Sequence, residues 1–140
     1  MILAAAGGHT EIVSALLEKG ARVDVRDLTG HTALNWAAMR GRIKVFSLLL
    51  KKGADINTKN NVDVTSLLYA VGTQNSAMVE LLADKGADLE VIYRENKMTP
   101  LLLAIEHKNL EILEILIDKG VKTDKKSLDM INLIKKIRHI

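Results

Sequence analysis

The chain has 140 residues, 48% of them apolar and only 3% aromatic, with a net charge of +3. That length fits one domain. The absence of Cys excludes a disulfide framework and a Cys-based zinc site. No run of about 18 apolar residues offers a membrane span, and the mild positive charge falls short of a nucleic-acid-binding signature. No basic segment leads an apolar one at the N-terminus, so no signal peptide is expected. An intracellular, cytoplasmic setting is the natural reading of a Cys-free chain.

A fixed period organises the rest. Gly53-Ala54-Asp55 recurs as Gly86-Ala87-Asp88. Gly20-Ala21 stands one equal step before Gly53, and Gly120 stands one step, lengthened by a single position, after Gly86. A period of about 33 residues marks a stacked-repeat architecture. In chain order the units are about 1–26, 27–59, 60–92 and 93–124, all within a single domain of residues 1–140. Met1 falls inside a unit, so the first is expected to be partial and the chain a piece of a longer protein.

Each unit opens with a short helix of small residues. Ala4-Ala5, Ala37-Ala38, Ala70-Val71 and Ala104-Ile105 share one pair of columns, where small side chains let helices approach closely. Thr32, Thr65 and Thr99 precede the complete short helices as N-caps, and Pro100 fits the first helical position. Leu34, Leu67 and Leu101 then point inward. Turns follow at Gly8-His9, Gly41-Arg42, Gln74-Asn75 and Lys108-Asn109.

A longer helix closes each unit. Ile12, Val13, Leu16 and Leu17 lie on one helical face. The same columns hold Val45, Phe46, Leu49 and Leu50, then Met78, Val79, Leu82 and Ala83, then Ile112, Leu113, Leu116 and Ile117. Lys followed by Gly ends every one, suiting the negative end of the helix dipole and a left-handed stop.

With T-A-L-N at Thr32, A-A-A-G-G-H-T-E-I-V from Ala4 and L-L-L-K-K-G-A-D from Leu48, the chain resembles the ankyrin repeats. The resemblance covers residues 1 to about 124, best at 27–59. It implies an all-α solenoid of stacked helix-turn-helix units with β-hairpin-like finger loops. The family's His is replaced by Asn35, Leu68 and Leu102, so its usual Thr–His hydrogen bonding does not carry over. Gly30 becomes Asp63 and Lys97, which points to looser later fingers, and one extra residue lies within Val91–Met98. Asn57, in the context Leu49, Asp55, Ile56, resembles sites that asparaginyl hydroxylases modify; the plainer reading is a loop Asn bridging backbone groups.

The tail breaks the period. Ser127 is a plausible N-cap, and Met130, Ile131, Ile134 and Ile137 fall on one face of a C-terminal helix at about 127–138. The leading reading is a cap over the open end of the stack, which repeat proteins require. The others are a basic amphipathic helix with Lys135, Lys136 and Arg138, touching a membrane or a groove, and the start of a further repeat.

No candidate chemistry emerges. His9, His31, His107 and His139 are scattered, without the i, i+4 spacing of a helical metal site. His107 and Glu111 straddle a turn. Ala6-Gly7-Gly8-His9 lacks the strand and Lys-Ser/Thr of a phosphate loop. The protein is therefore expected not to be an enzyme and to need no cofactor.

What remains is the concave surface of fingers and short helices, where ankyrin repeats typically recognise partners. The fingers offer Leu28, Thr29 and His31, then Asn61, Val62 and Val64, then Glu95, Asn96 and Met98. The short helices offer Met39 and Arg40, then Thr73, then Glu106 and His107. Trp36 and Tyr69 share a column, read either as packing between helices or as contact anchors, since hot spots favour Trp and Tyr. The expected function is protein–protein recognition by this face. The alternative is a non-catalytic targeting or substrate-recruiting arm of a larger enzyme or effector. The expected partner is another protein, not nucleic acid, and the chain itself is expected to be a monomer or to self-associate weakly through its incomplete first repeat.

Overall fold

The computed structural model describes residues 1–138, so His139 lies outside the described part. Four helix pairs and a final helix follow one another: α1 (Ile2–Gly7) with α2 (Thr10–Glu18), α3 (Ala33–Met39) with α4 (Ile43–Lys51), α5 (Ser66–Gly72) with α6 (Ser76–Asp84), α7 (Pro100–Glu106) with α8 (Leu110–Asp118), and α9 (Lys125–Arg138). The short helices stack in a row, α1 on α3, α3 on α5 and α5 on α7. Among the longer ones α2 packs on α4 and α6 on α8, while α9 closes against α7 and α8. This is the all-helical repeat solenoid that the period predicts.

Local chemistry starts and stops each helix. Thr32, Thr65 and Thr99 sit in extended backbone, and each hydroxyl accepts the N–H three residues on. At the other end, Gly20, Gly53, Gly86 and Gly120 are all left-handed, with φ of 86–92°. Ala21 N–H then reaches Leu16 O and Gly20 N–H reaches Leu17 O, both at 3.0 Å, and the later units repeat this pair. That double closure is the Schellman stop.

The column residues form one continuous core. Leu34, Phe46, Leu49, Leu67, Met78, Leu82, Ile112, Leu113 and Leu116 are all buried in it. One column shows what stacking does. Val45, Met78 and Ile112 are 0–1% exposed, whereas Ile12, at the same place in the first unit, is 53% exposed. Each later unit is covered by the one before it, and no described residue covers the first.

Asn35 replaces the missing histidine chemistry. It is wholly buried. Its Oδ1 accepts the Thr32 N–H at 3.0 Å and the Thr32 hydroxyl at 3.1 Å, while its amide donates to Ser66 Oγ at 3.0 Å and Thr58 O at 3.3 Å. One side chain thus rigidifies its own helix start and bridges to the next unit.

The tail differs from the sequence expectation in two respects. Asp124, not Ser127, caps α9: its carboxylate accepts the Ser127 N–H at 2.7 Å. The helix therefore starts two residues earlier and Ser127 is buried within it. The inward stripe is then Ser127, Ile131 and Ile134, spaced i, i+4 and i+7. Met130 and Ile137 fall beside it and stay exposed.

Candidate functional site

The fingers are tight turns. Asp27 N–H donates to His31 O at 2.9 Å, Asn60 N–H to Val64 O at 3.0 Å, and Tyr93 N–H to Met98 O at 2.7 Å. Gly30, Asp63 and Lys97 occupy the same left-handed position, with φ of 81°, 64° and 60°. The later fingers are thus not opened by losing Gly. The strain is accepted and the turn is kept. The extra residue expected in the third finger is accommodated between Tyr93 and Met98, which pair as an isolated antiparallel bridge.

Fingers 1 and 2 are joined along their length. Asn61 donates its backbone N–H to Thr29 O at 3.1 Å and its amide to Leu28 O at 3.0 Å. Arg26 reaches Gly30 O at 2.9 Å and Lys59 O at 2.6 Å. A Cβ on Gly30 would lie 2.7 Å from the Asn61 backbone nitrogen, so this close approach needs Gly.

Beneath the tips runs a polar and aromatic network. Asp27 accepts the Trp36 indole N–H at 2.7 Å, the Thr29 hydroxyl at 2.7 Å, and the backbone N–H groups of Thr29 and His31 at 2.9 and 3.0 Å. These donors, the indole first, hold its carboxyl well below the usual carboxylate range, against the opposing effect of burial. The Thr29 hydroxyl spends its only proton on Asp27, so at 2.6 Å it must accept from His31 Nδ1–H. His31 Nε2 then accepts from the Tyr69 hydroxyl at 2.7 Å and the Asn60 amide at 3.1 Å. The Asn60 amide also donates to the Tyr69 oxygen at 2.9 Å. Its own oxygen takes Val62 N–H and Val64 N–H at 3.0 and 2.9 Å, which fixes the amide's orientation. Burial pushes the Tyr69 phenol above its ordinary range, the Asn60 hydrogen bond opposing it.

The residues singled out from sequence divide into three groups. Leu28 is fully exposed at the tip of finger 1 and Val62 is 55% exposed at the tip of finger 2, with exposed Thr29 and Asn61 between them. His31 is buried, and Trp36 and Tyr69 are half-buried, with His31 between them at ring-centroid distances of 5.5 and 5.4 Å. Their polar atoms are committed to the network, so what they leave exposed is ring surface. Val64 and Met98 are half-buried at finger bases.

The row formed by the ends of the short helices lies about 10 Å from the fingers, the length of a seven-residue helix. There Met39 is half-buried, and Arg40 is exposed with its guanidinium 5.7 Å from the Trp36 ring centroid. The Thr73 hydroxyl is exposed but donates to Tyr69 O at 2.9 Å. Glu106 and His107 are exposed. Finger 3 is separate in character. Glu95 accepts from the Tyr93 hydroxyl, Asn96 accepts Met98 N–H at 3.1 Å, and Arg94 bridges to Asp63 at 2.8 Å.

Asp27 and Asn60 are the network residues that a search for exposed positions passes over. Both head their fingers at equivalent places in consecutive units, and an Asx residue opening a tight turn was the available signal. Asn57 bridges units through its oxygen, which accepts Asp88 N–H at 2.8 Å. Among the described residues no three of His, Cys, Asp and Glu gather so as to hold a metal ion, and no helix is long and apolar enough to cross a membrane.

The geometry is that of a repeat solenoid presenting stapled fingers over a row of short helices. The chain belongs to the ankyrin-repeat family: the family model described as ankyrin repeats (3 copies) matches residues 1–60 and again 58–127. No curated protein matches it. Ankyrin repeats are in general protein–protein interaction modules and are typically non-catalytic.

Proposed function

We propose that this chain binds a partner protein through the concave side of fingers 1 and 2 and the adjoining short helices, with no chemistry of its own. The observation that carries the reading is the pair of apolar tips, Leu28 and Val62, held solvent-exposed on two fingers that Asn61 staples together. Exposed apolar groups on a rigid frame cost little ordering entropy when a partner covers them. Trp36 and Tyr69 supply ring surface at the floor, and Met39 and Arg40 extend the contact along α3. Glu95, Asn96, Met98, Glu106 and His107 form the mostly polar flank of the same face. The absence of Cys supports an intracellular setting. The test is affinity capture from cell lysate with wild type and with a Leu28→Asp, Met39→Asp, Val62→Asp variant shown to be folded by circular dichroism. A partner held by wild type and released by the variant is the expected outcome. Equal capture by both would remove the concave face from the account.

A further inference from the structure

Four of the exposed large apolar side chains, Leu128, Met130, Leu133 and Ile137, lie on α9, and the concave face does not use them. Along that helix Lys126, Met130, Leu133, Lys136 and Ile137 fall on one side at i, i+4, i+7, i+10 and i+11. Leu133 and Ile137 are 58% and 60% exposed, and Met130 is also exposed. The adjoining stripe, Ser127, Ile131 and Ile134, is the one docked on the stack. The helix carries Lys125, Lys126, Lys135, Lys136 and Arg138 against a single acid, Asp129, which lies on the exposed side. Asp124 is engaged at the helix start.

We propose that α9 rests its Met130, Leu133 and Ile137 side on an anionic lipid surface, making the end of the solenoid a peripheral membrane contact. Two features select this occupant. Four to eight cations on an amphipathic helix match the negative potential of an anionic leaflet, while apolar side chains enter the headgroup boundary. A protein groove that wraps a basic helix would need the Ile131 side as well, and that side is buried against α7 and α8. Only a surface that lies along one side of the helix fits. With few apolar residues and a handful of cations, the contact is reversible and sensitive to salt.

The experiment is co-sedimentation of the whole chain with phosphatidylcholine vesicles, with and without about 30% phosphatidylserine. Binding is expected only with phosphatidylserine and should fade between about 0.1 and 0.5 M salt. Lys126→Glu and Lys136→Glu should each weaken it by at least fivefold, from the loss of one cation at the surface. Leu133→Asp with Ile137→Asp should abolish it. These positions are exposed, so the fold should survive, which circular dichroism checks; the Leu28→Asp, Met39→Asp, Val62→Asp variant should bind vesicles as wild type does. Equal binding to pure phosphatidylcholine, no binding to either vesicle, or binding unmoved by the α9 variants would overturn the proposal. So would a concentration-dependent dimer that these variants dissolve, which would assign the stripe to a second copy.

Discussion

Replacing Asn35 by Ala tests the account of how the units are joined. The side chain is fully buried and makes four hydrogen bonds, one of them to Ser66 of the following unit and one to Thr58 in the loop that leads to it. Alanine leaves the Thr32 N–H, the Ser66 hydroxyl and the Thr58 carbonyl without these partners. Each buried orphan costs roughly 1–3 kcal/mol. The Thr58 contact is long at 3.3 Å, and a water entering the polar gap would recover part of the loss, so the lower part of the range applies. The expected cost is about 3 kcal/mol. At roughly 2.1 cal/mol/K of unfolding entropy per residue, that lowers the melting midpoint by about 10 °C. The transition should also broaden, because nearest-neighbour coupling makes a repeat array cooperative and this mutation weakens one coupling. Thermal melts followed by circular dichroism read both quantities. Asn35→Leu supplies a control, since Leu occupies the equivalent positions 68 and 102. It fills the volume but leaves the same orphans, so it should be destabilised nearly as much. A shift under about 2 °C with unchanged breadth in both variants would refute the bridging role.

Lys108 holds φ of 54° in a turn where units 1 and 2 place Gly8 and Gly41. Lys108→Gly removes a left-handed penalty of about 1–2 kcal/mol at some cost in unfolded-state entropy, so a net gain of about 0.5–1 kcal/mol is expected in a urea melt; a loss of stability would mean the turn is not held in that conformation. Asp27 has its folded pKa depressed, so its ionised form adds stability above the unfolded carboxylate range near pH 4, and that share is lost as pH falls from there toward the folded value. Asp27→Asn should therefore melt below wild type at pH 7, with the gap narrowing toward pH 3; a gap independent of pH would show that the carboxyl is not depressed in the folded protein.

The columns made the fold legible because burial repeats with every unit. A buried column tolerates only apolar side chains, so Val45, Met78 and Ile112 announce themselves by spacing alone. The finger network was not legible in the same way. His31 presents as an exposed finger residue by position, yet Thr29, Asn60 and Tyr69 enclose it from two units, and no spacing rule encodes a contact across 38 residues. The loss of the family His and of the finger Gly promised looser structure. The finger turns are kept all the same, because Asp63 and Lys97 take the left-handed backbone; the lost His bond is replaced only in the second unit, by Asn35, while the apolar side chains of Leu68 and Leu102 offer none. In the tail, a small shift of the cap from Ser127 to Asp124 was below what pattern resolves, and it determined which part of the apolar arc on α9 was left uncovered.

The same substitutions divide the concave face mechanically. Fingers 1 and 2 are joined by Asn61, by Arg26 and by the His31–Tyr69–Asn60 contacts, several of them shielded from solvent. Finger 3 meets finger 2 through Arg94 and Asp63, an ion pair whose arginine side chain is 80% exposed. Such surface pairs contribute about 0–1 kcal/mol and are screened by salt. On the proposed reading, a partner that seats on fingers 1 and 2 meets side chains already ordered and loses little in fixing them, whereas finger 3, though closed as a turn, is tied to its neighbour less firmly. The proposed apolar contacts, Leu28 and Val62, thus stand on the more firmly joined pair of fingers. On the same reading, the exposed Glu95 of finger 3 and Glu106 of α7 lie outside the stapled pair, where charge steers approach and tunes specificity more than it adds affinity.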